Sequence, residues 1–180
     1  VINEEFCYQP HSLSLGKDVN GILLYGINSS GKSTLMKAIG MNLILAQIGY
    51  YTASTKFEYY PYTNLFTRID GNDNIFRGNS SFMVEMIELM SILKRNNKNT
   101  LVLADEICRG TEEKSANIIV AYMLETLQDS NTSFITATHL HVIAELPSVK
   151  SLEKVKPMHL QVKYDEDNET LIYNRKLVEG

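Results

Sequence analysis

One short segment constrains this chain more than any other, because it has the form of a loop that binds phosphate. An apolar run at residues 22–25 leads into the pattern G-x-x-x-x-G-K-S, and a helical pattern follows. Glycines at both ends let the backbone curl so that its N–H groups point inward, and the helix adds the positive end of its dipole. The residues predicted to bind nucleotide phosphates are Gly26, Ile27, Asn28, Ser29, Ser30, Gly31, Lys32, Ser33 and Thr34.

Two side chains of this loop carry the predicted chemistry. Lys32 is expected to reach the β- and γ-phosphates as a point charge, and the Ser33 hydroxyl is expected to bind Mg²⁺. The alternative is a glycine-rich turn that happens to carry a lysine. The strand and helix patterns on either side of the loop favour the phosphate site.

Composition and charge indicate an intracellular globular domain. Of the 180 residues, 44% are hydrophobic and 21% are charged, which predicts one domain with a self-sustaining core. The formal net charge of -4 is unlike the positive balance of most DNA-binding domains.

Cys7 and Cys108 lack zinc-site spacing and favour a reducing compartment. No apolar stretch approaches the length of a membrane span, and no leader pattern is present, so no membrane partner is expected. Because residue 1 is Val1, we expect residues 1–180 to be one domain of a longer protein.

Strand and helix patterns alternate along the chain. Helical spacing follows the loop as far as Gly49 and recurs at residues 80–95 and at about 111–127. Buried-strand patterns occupy residues 100–104 and 132–138, besides the strand before the loop. The alternation predicts an α/β domain with a mostly parallel sheet flanked by helices.

The remaining segments are less regular. Residues 56–67 predict short strands or an irregular crossing, and residues 70–74 predict a loop. The methionines of residues 80–95 are expected to fill the core and not to bind a ligand. Residues 158–164 and 170–177 flank an acidic turn and predict an antiparallel C-terminal hairpin.

Polar residues follow three of the predicted strands, at the edge where α/β sheets gather ligands. Asp105 is expected to join Ser33 in the Mg²⁺ shell, and Glu106 is expected to polarise the attacking water as a base. His139 is placed to hydrogen-bond the γ-phosphate or that water. A hydrogen-bonded core histidine is the competing interpretation of His139.

The motif set favours ATP hydrolysis over related reactions. A GTPase would carry Asn-Lys-x-Asp, and the nearest match, at residues 97–100, lacks the aspartate. The Leu-Ser-Gly-Gly-Gln signature of transporter-type ATPases is absent. A small-molecule kinase would not usually carry a glutamate base directly after the strand aspartate, because its substrate and not water must be activated.

Five segments in register resemble the ATPase domain of the MutS DNA mismatch-repair family, over about residues 8–178. The segments are residues 26–34, 66–69, 80–86, 105–111 and 137–139. The resemblance implies a P-loop NTPase fold of the ABC-ATPase type. It also implies ATP and Mg²⁺ as cofactors and a homodimer or MutS-type heterodimer formed face to face through the ATPase domains.

The resemblance assigns further residues. Ser80 matches the signature serine that points at the nucleotide of the other subunit, although Ser80 and Ser81 also suit simple helix capping. Tyr8 falls where the family places an aromatic that stacks on adenine, and a buried core tyrosine is the alternative. Asn28 matches an asparagine that senses the phosphates or the partner's signature.

Some positions differ from the usual family pattern. Ile27 replaces a common proline, Ser29 and Ser30 replace Met-Gly, and Cys108 stands where glycine is usual. The sequence of this loop resembles that of MutS-like proteins of large viruses or organelles. The Phe-x-Glu mismatch wedge of the family is absent from the chain, so mismatched double-stranded DNA is expected to meet other domains.

Two other functions remain open at this stage. A DNA-repair ATPase of the Rad50 or SMC type would carry long coiled coils between its two halves, whereas Lys32 and Asp105 are joined by a compact stretch. A switch that binds ATP and dimerises without turnover would not need Lys32, Ser33, Asp105 and Glu106 all intact.

Overall fold

The computed structural model of the protein describes residues 8–69, 81–108, 111–165 and 169–180. In these ranges the strands are β1 Gly21–Tyr25, β2 Asn64–Arg68, β3 Thr100–Asp105, β4 Ser133–Thr138, β5 Val155–Leu160, β6 Lys163–Asp165, β7 Thr170–Ile172 and β8 Leu177–Glu179. The α-helices are α1 Lys32–Gln47, α2 Ser81–Arg95, α3 Glu113–Asp129 and α4 Pro147–Lys150, and a 3-10 helix covers His141–Glu145.

The main sheet has the strand order β2-β3-β4-β1-β5-β8. All neighbours from β2 to β5 are parallel, and only β8 runs antiparallel, against β5. This confirms the prediction of an α/β domain with a mostly parallel sheet. The irregular crossing predicted at residues 56–67 ends in the edge strand β2, whereas the loop predicted at residues 70–74 lies outside the described residues.

Helices cover both faces of the sheet. The residues of β3 alternate between the two core clusters that lie on these faces. Val102 and Ala104 face a core cluster that contains residues of α2, α3 and α4, whereas Leu101 and Leu103 face a cluster that contains residues of α1. Successive side chains of a strand point to opposite faces, so a strand covered on both sides reads as a continuous apolar run. That is the pattern from which the strand was predicted.

The methionines of α2 contradict part of the prediction. Met86 packs against the core, but Met83 and Met90 are about half exposed, and so is Ile87 between them. Positions three or four apart share one face of a helix, and here that face points away from the sheet. The expectation that these methionines fill the core is therefore wrong for Met83 and Met90.

The C-terminal hairpin is present, but it is divided into two pairs of strands. β6 pairs with β7, while the residues before and after them form β5 and β8 in the main sheet. Between the two pairs, residues 161–162 lie opposite residues 173–176, so the second arm bulges. Gln161 bonds the backbone of Arg175 and Lys176 there. The predicted antiparallel hairpin is therefore confirmed, and its first arm is also held in the main sheet by the pairing of β5 with β1.

Gly21 predicts a measurable packing constraint in β1. A Cβ at Gly21 would lie 2.1 Å from Cζ of the fully buried Phe134 on β4. Gly21→Ala should therefore lower the free energy of unfolding by about 3 kcal/mol, the upper part of the range for overpacking. Chemical denaturation followed by circular dichroism would measure the change. Gly16→Ala is the matched control, since nothing lies within 4 Å of its added Cβ. Equal losses in both variants would contradict this packing argument.

No helix in the described ranges is long and apolar enough to cross a membrane.

Candidate functional site

The three polar strand ends meet at one edge of the sheet. β3, β4 and β1 are adjacent and parallel, and their registers pair Asp105 with Ala137 and Thr138 with Tyr25. The loop after β1, the acidic pair at the end of β3 and His139 after β4 therefore lie at the same edge of the sheet. This shared edge is the candidate site.

The loop of residues 26–34 wraps around a lysine. Gly26 and Gly31 have φ angles of 142° and 108°, a region that favours glycine. The Lys32 ammonium donates hydrogen bonds to Gly26 O at 2.8 Å and to Ile27 O at 2.9 Å. The side chain is only 5% exposed. The loop thus holds one buried cation against its own carbonyl groups.

Two opposing influences act on the pKa of Lys32. Burial lowers the pKa of Lys32, and the nearby carboxylates of Glu106 and Asp105 raise it. The ammonium and both acidic side chains consequently share one small polar region. This is the electrostatic arrangement that the predicted phosphate and metal chemistry requires.

Ser33 and Asp105, the two predicted Mg²⁺ ligands, are in contact. The Ser33 hydroxyl donates a hydrogen bond to Asp105 Oδ2, although the residues are 72 positions apart in sequence. No cluster of three or more His, Cys, Asp or Glu side chains suited to a metal occurs in the described ranges. A hydroxyl and one carboxylate fit Mg²⁺ bound mainly by water and phosphate oxygens, and do not fit an all-protein metal cage.

The turn after β3 carries Glu106 in an unusual backbone conformation. Glu106 and Cys108 have φ angles of 46° and 66°, in the left-handed region that non-glycine residues rarely adopt. The Glu106 N–H donates to Ala137 O at 2.9 Å. The positive φ of Cys108 is a conformation that glycine adopts more readily than cysteine. Burial, and then the Glu85 carboxylate, raise the pKa of the Cys108 thiol to about 12.

Two residues from other elements lie beside this turn, and the sequence pattern did not assign them a role. Glu85 on α2 is 3% exposed, and its Oε1 accepts from Cys108 N at 2.7 Å and from Arg68 Nε at 3.3 Å. Arg68 also pairs with Glu88. A glutamate on the otherwise apolar, core-facing side of a predicted helix was the signal that could have identified Glu85, because buried carboxylates need partners.

His139 is exposed at the end of β4, so the competing interpretation of a core histidine is wrong. It borders a cleft of about 360 Å³ that continues toward α3. The other lining residues are Cys108, Thr111, Glu113, Ala116, Leu140 and Val142. His139 is therefore accessible to a ligand at the shared edge.

The remaining predicted residues are less closely assembled. Tyr8 is 64% exposed, which rules out the buried-tyrosine alternative, and its ring lies edge-on to His11 at 6.4 Å. Asn28 and Ser29 are exposed on the loop, whereas Ser30 is buried. Ser80 lies outside the described residues, directly before α2. Its predicted place opposite a partner's nucleotide stays a prediction.

Fold and site together define an α/β domain with a cationic loop and acidic strand ends gathered at one edge of a parallel sheet. The chain matches the family model described as MutS domain V over residues 22–180. It therefore belongs to the MutS family, as its domain V.

Individual relatives agree with this assignment. The chain is 51% identical over 169 residues to a mutS homologue of Acanthamoeba polyphaga mimivirus, covering 92% of the chain and 15% of that protein. It is 45% identical to a mitochondrial DNA mismatch repair protein mutS homologue of Sarcophyton glaucum, covering 94% and 17%. Identity to DNA mismatch repair protein MutS of Finegoldia magna is 36%, covering 94% and 20%. The chain thus spans between 15% and 20% of the length of these relatives. The similarity to a viral and a mitochondrial protein agrees with the resemblance noted for the loop sequence.

Proposed function

We propose that this domain binds and hydrolyses ATP with Mg²⁺, as the motor and dimerisation domain of a MutS-family DNA mismatch-repair protein. The observation that best supports the proposal is the assembly of Lys32, the Ser33–Asp105 pair and Glu106 at one sheet edge. The names of the relatives support the assignment to mismatch repair. An ATPase of the Rad50 or SMC type is disfavoured by the match to MutS domain V.

Each residue has a separate role in the proposed reaction. Lys32 releases the loop carbonyls and binds the β- and γ-phosphates. Ser33 and Asp105 hold Mg²⁺, which when bound neutralises charge on the phosphate oxygens. Glu106 orients the attacking water and accepts its proton, and His139 donates a hydrogen bond to the γ-phosphate or to the water.

The wider assembly follows from the family resemblance. Two domains meet face to face, as a homodimer or a MutS-type heterodimer, and Ser80 before α2 reaches the nucleotide of the other subunit. Mismatched DNA is bound by domains outside these 180 residues, and the nucleotide state of the dimer biases their conformation. The proposed location is intracellular: the cytoplasm or nucleoid, or the nucleus, an organelle or a virus-infected cell.

Mixing of inactive variants tests the composite site. Ser80→Arg and Lys32→Ala should each be inactive alone and should partly recover hydrolysis when mixed, because one site then combines an intact loop with an intact signature. The rate per subunit of the unaltered domain should rise with protein concentration, since two small faces must meet by diffusion. Phosphate release from ATP measures both effects.

A second mixture provides the control. Lys32→Ala and Glu106→Gln damage the same half of the composite site, so mixing these two should restore nothing. Recovery in neither mixture, together with a concentration-independent rate, would place the whole site within one chain. Tight ATP binding and dimer formation without any turnover would favour the switch over the enzyme.

A further inference from the structure

Glu85 is a buried carboxylate that the proposed reaction does not itself use. It lies in the second turn of α2, on the side of the helix that faces the sheet, and it is 3% exposed. Burial of a carboxylate is unfavourable unless charge-assisted hydrogen bonds compensate for the lost water. Glu85 obtains them from Arg68 at the end of β2 and from the backbone N–H of Cys108.

The bond to Cys108 anchors a strained turn. Glu106 and Cys108, two of the three residues after β3, are in the left-handed region without being glycine. Such residues cost of order 1–3 kcal/mol each and persist only where the surroundings hold them. The turn is tied at its start by Glu106 N–H to Ala137 O, and at its end by Cys108 N–H to Glu85 Oε1 at 2.7 Å.

The direction of Glu106 depends on this turn. Its side chain must stay near the Lys32 ammonium, on whose pKa the Glu106 carboxylate acts. Ile107 and Cys108 are both 3% exposed, so they cannot rotate freely to compensate for a lost anchor. Loss of the second tether would therefore release backbone strain at Glu106 and turn its carboxylate away.

We propose that Glu85 is a positioning residue that acts through the Cys108 backbone to aim Glu106. The inference rests on the proposed function, because it assigns Glu85 to the same hydrolysis. It joins α2, which begins directly after Ser80, to the turn of the proposed base. Arg68 neutralises the buried charge, and the oxygen that accepts from Cys108 N–H performs the positioning.

Two nearly isosteric variants separate the oxygen from the bulk of the side chain. Glu85→Met fills the same space without an acceptor, whereas Glu85→Gln keeps an amide oxygen for Cys108 N–H. With protein in excess over ATP, the single-turnover rate of Glu85→Met should fall by about a hundredfold, the scale of a misplacement of about 1 Å. Glu85→Gln should retain most of the rate, and ATP affinity should be unchanged in both variants.

Two controls distinguish positioning from general damage. Glu88→Gln alters the exposed carboxylate that pairs with Arg68 but does not reach Cys108, and it should hydrolyse normally. In a Glu106→Gln background, Glu85→Met should cause no further loss, because residues that act through one another are non-additive. If Glu85→Met does not fold, Glu85→Asp withdraws the oxygen by one methylene and should show the same selective loss of rate.

The outcomes separate this inference from the proposed function. A full rate in Glu85→Met, or an additive loss in the Glu106→Gln background, would overturn the role of Glu85 alone. Parallel loss of ATP binding and rate would also overturn it, because the residue would then support the whole site. Absence of hydrolysis in the unaltered protein would overturn the proposed function, and with it this inference.

Discussion

Glu106→Gln should bind ATP as tightly as the unaltered protein and should hydrolyse it at least about a hundredfold more slowly, the scale of a lost general base. The substitution keeps the shape of the side chain and removes its ability to accept a proton. The ammonium that bonds the loop carbonyls belongs to Lys32, whereas Glu106 lies after β3 and acts on the pKa of Lys32 through its charge. The substitution should therefore lower the rate of hydrolysis without lowering the affinity for ATP. Equilibrium titration with ATP and single-turnover phosphate release measure the two quantities.

An exposed carboxylate serves as the comparison for Glu106. Glu58 pairs with Lys56 at the surface, with side chains 79% and 76% exposed, so Glu58→Gln should change neither quantity. Hydrolysis by Glu106→Gln at close to the original rate would mean that the base is another residue, and His139 would become the first candidate.

Lys32→Ala should abolish measurable ATP binding. Lys32 is 5% exposed and its ammonium already bonds two loop carbonyls, so a bound phosphate would exchange those neutral acceptors for charged ones. Hydrogen bonds to a charged group contribute about 1.5–3 kcal/mol each, and the loss of two corresponds to a hundredfold or more in affinity. Isothermal titration calorimetry measures the loss.

The fold of the Lys32→Ala protein must be checked in the same preparation, since the alanine leaves Gly26 O and Ile27 O without their partner. An unchanged far-ultraviolet circular dichroism spectrum would establish that the domain is folded. Lys37→Ala removes an exposed lysine of the same helix and should bind ATP normally. A folded Lys32→Ala protein with unchanged affinity would refute the assignment of the phosphate loop.

Much of the architecture could be predicted because its signals are local. The apolar runs of β1, β3 and β4 and the helical spacing of α1 to α3 each lie within one short stretch, and the predicted elements end within a few residues of the observed ones. The exposed Met83 and Met90 were mispredicted for a related reason. Periodicity marks apolar faces, but it does not say whether a second layer covers each of them.

The sequence by itself determined the strand, loop and helix around Lys32, because the glycines, the lysine and the helix start are consecutive and their conformations depend on near neighbours. The order of its motifs likewise identified the family. Only the tertiary structure decided that β4 lies between β1 and β3, that Ser33 meets Asp105, and that Glu85 reaches Cys108. These contacts join residues far apart in the chain. They depend on which faces of the sheet and helices bury one another, and no local pattern contains that information.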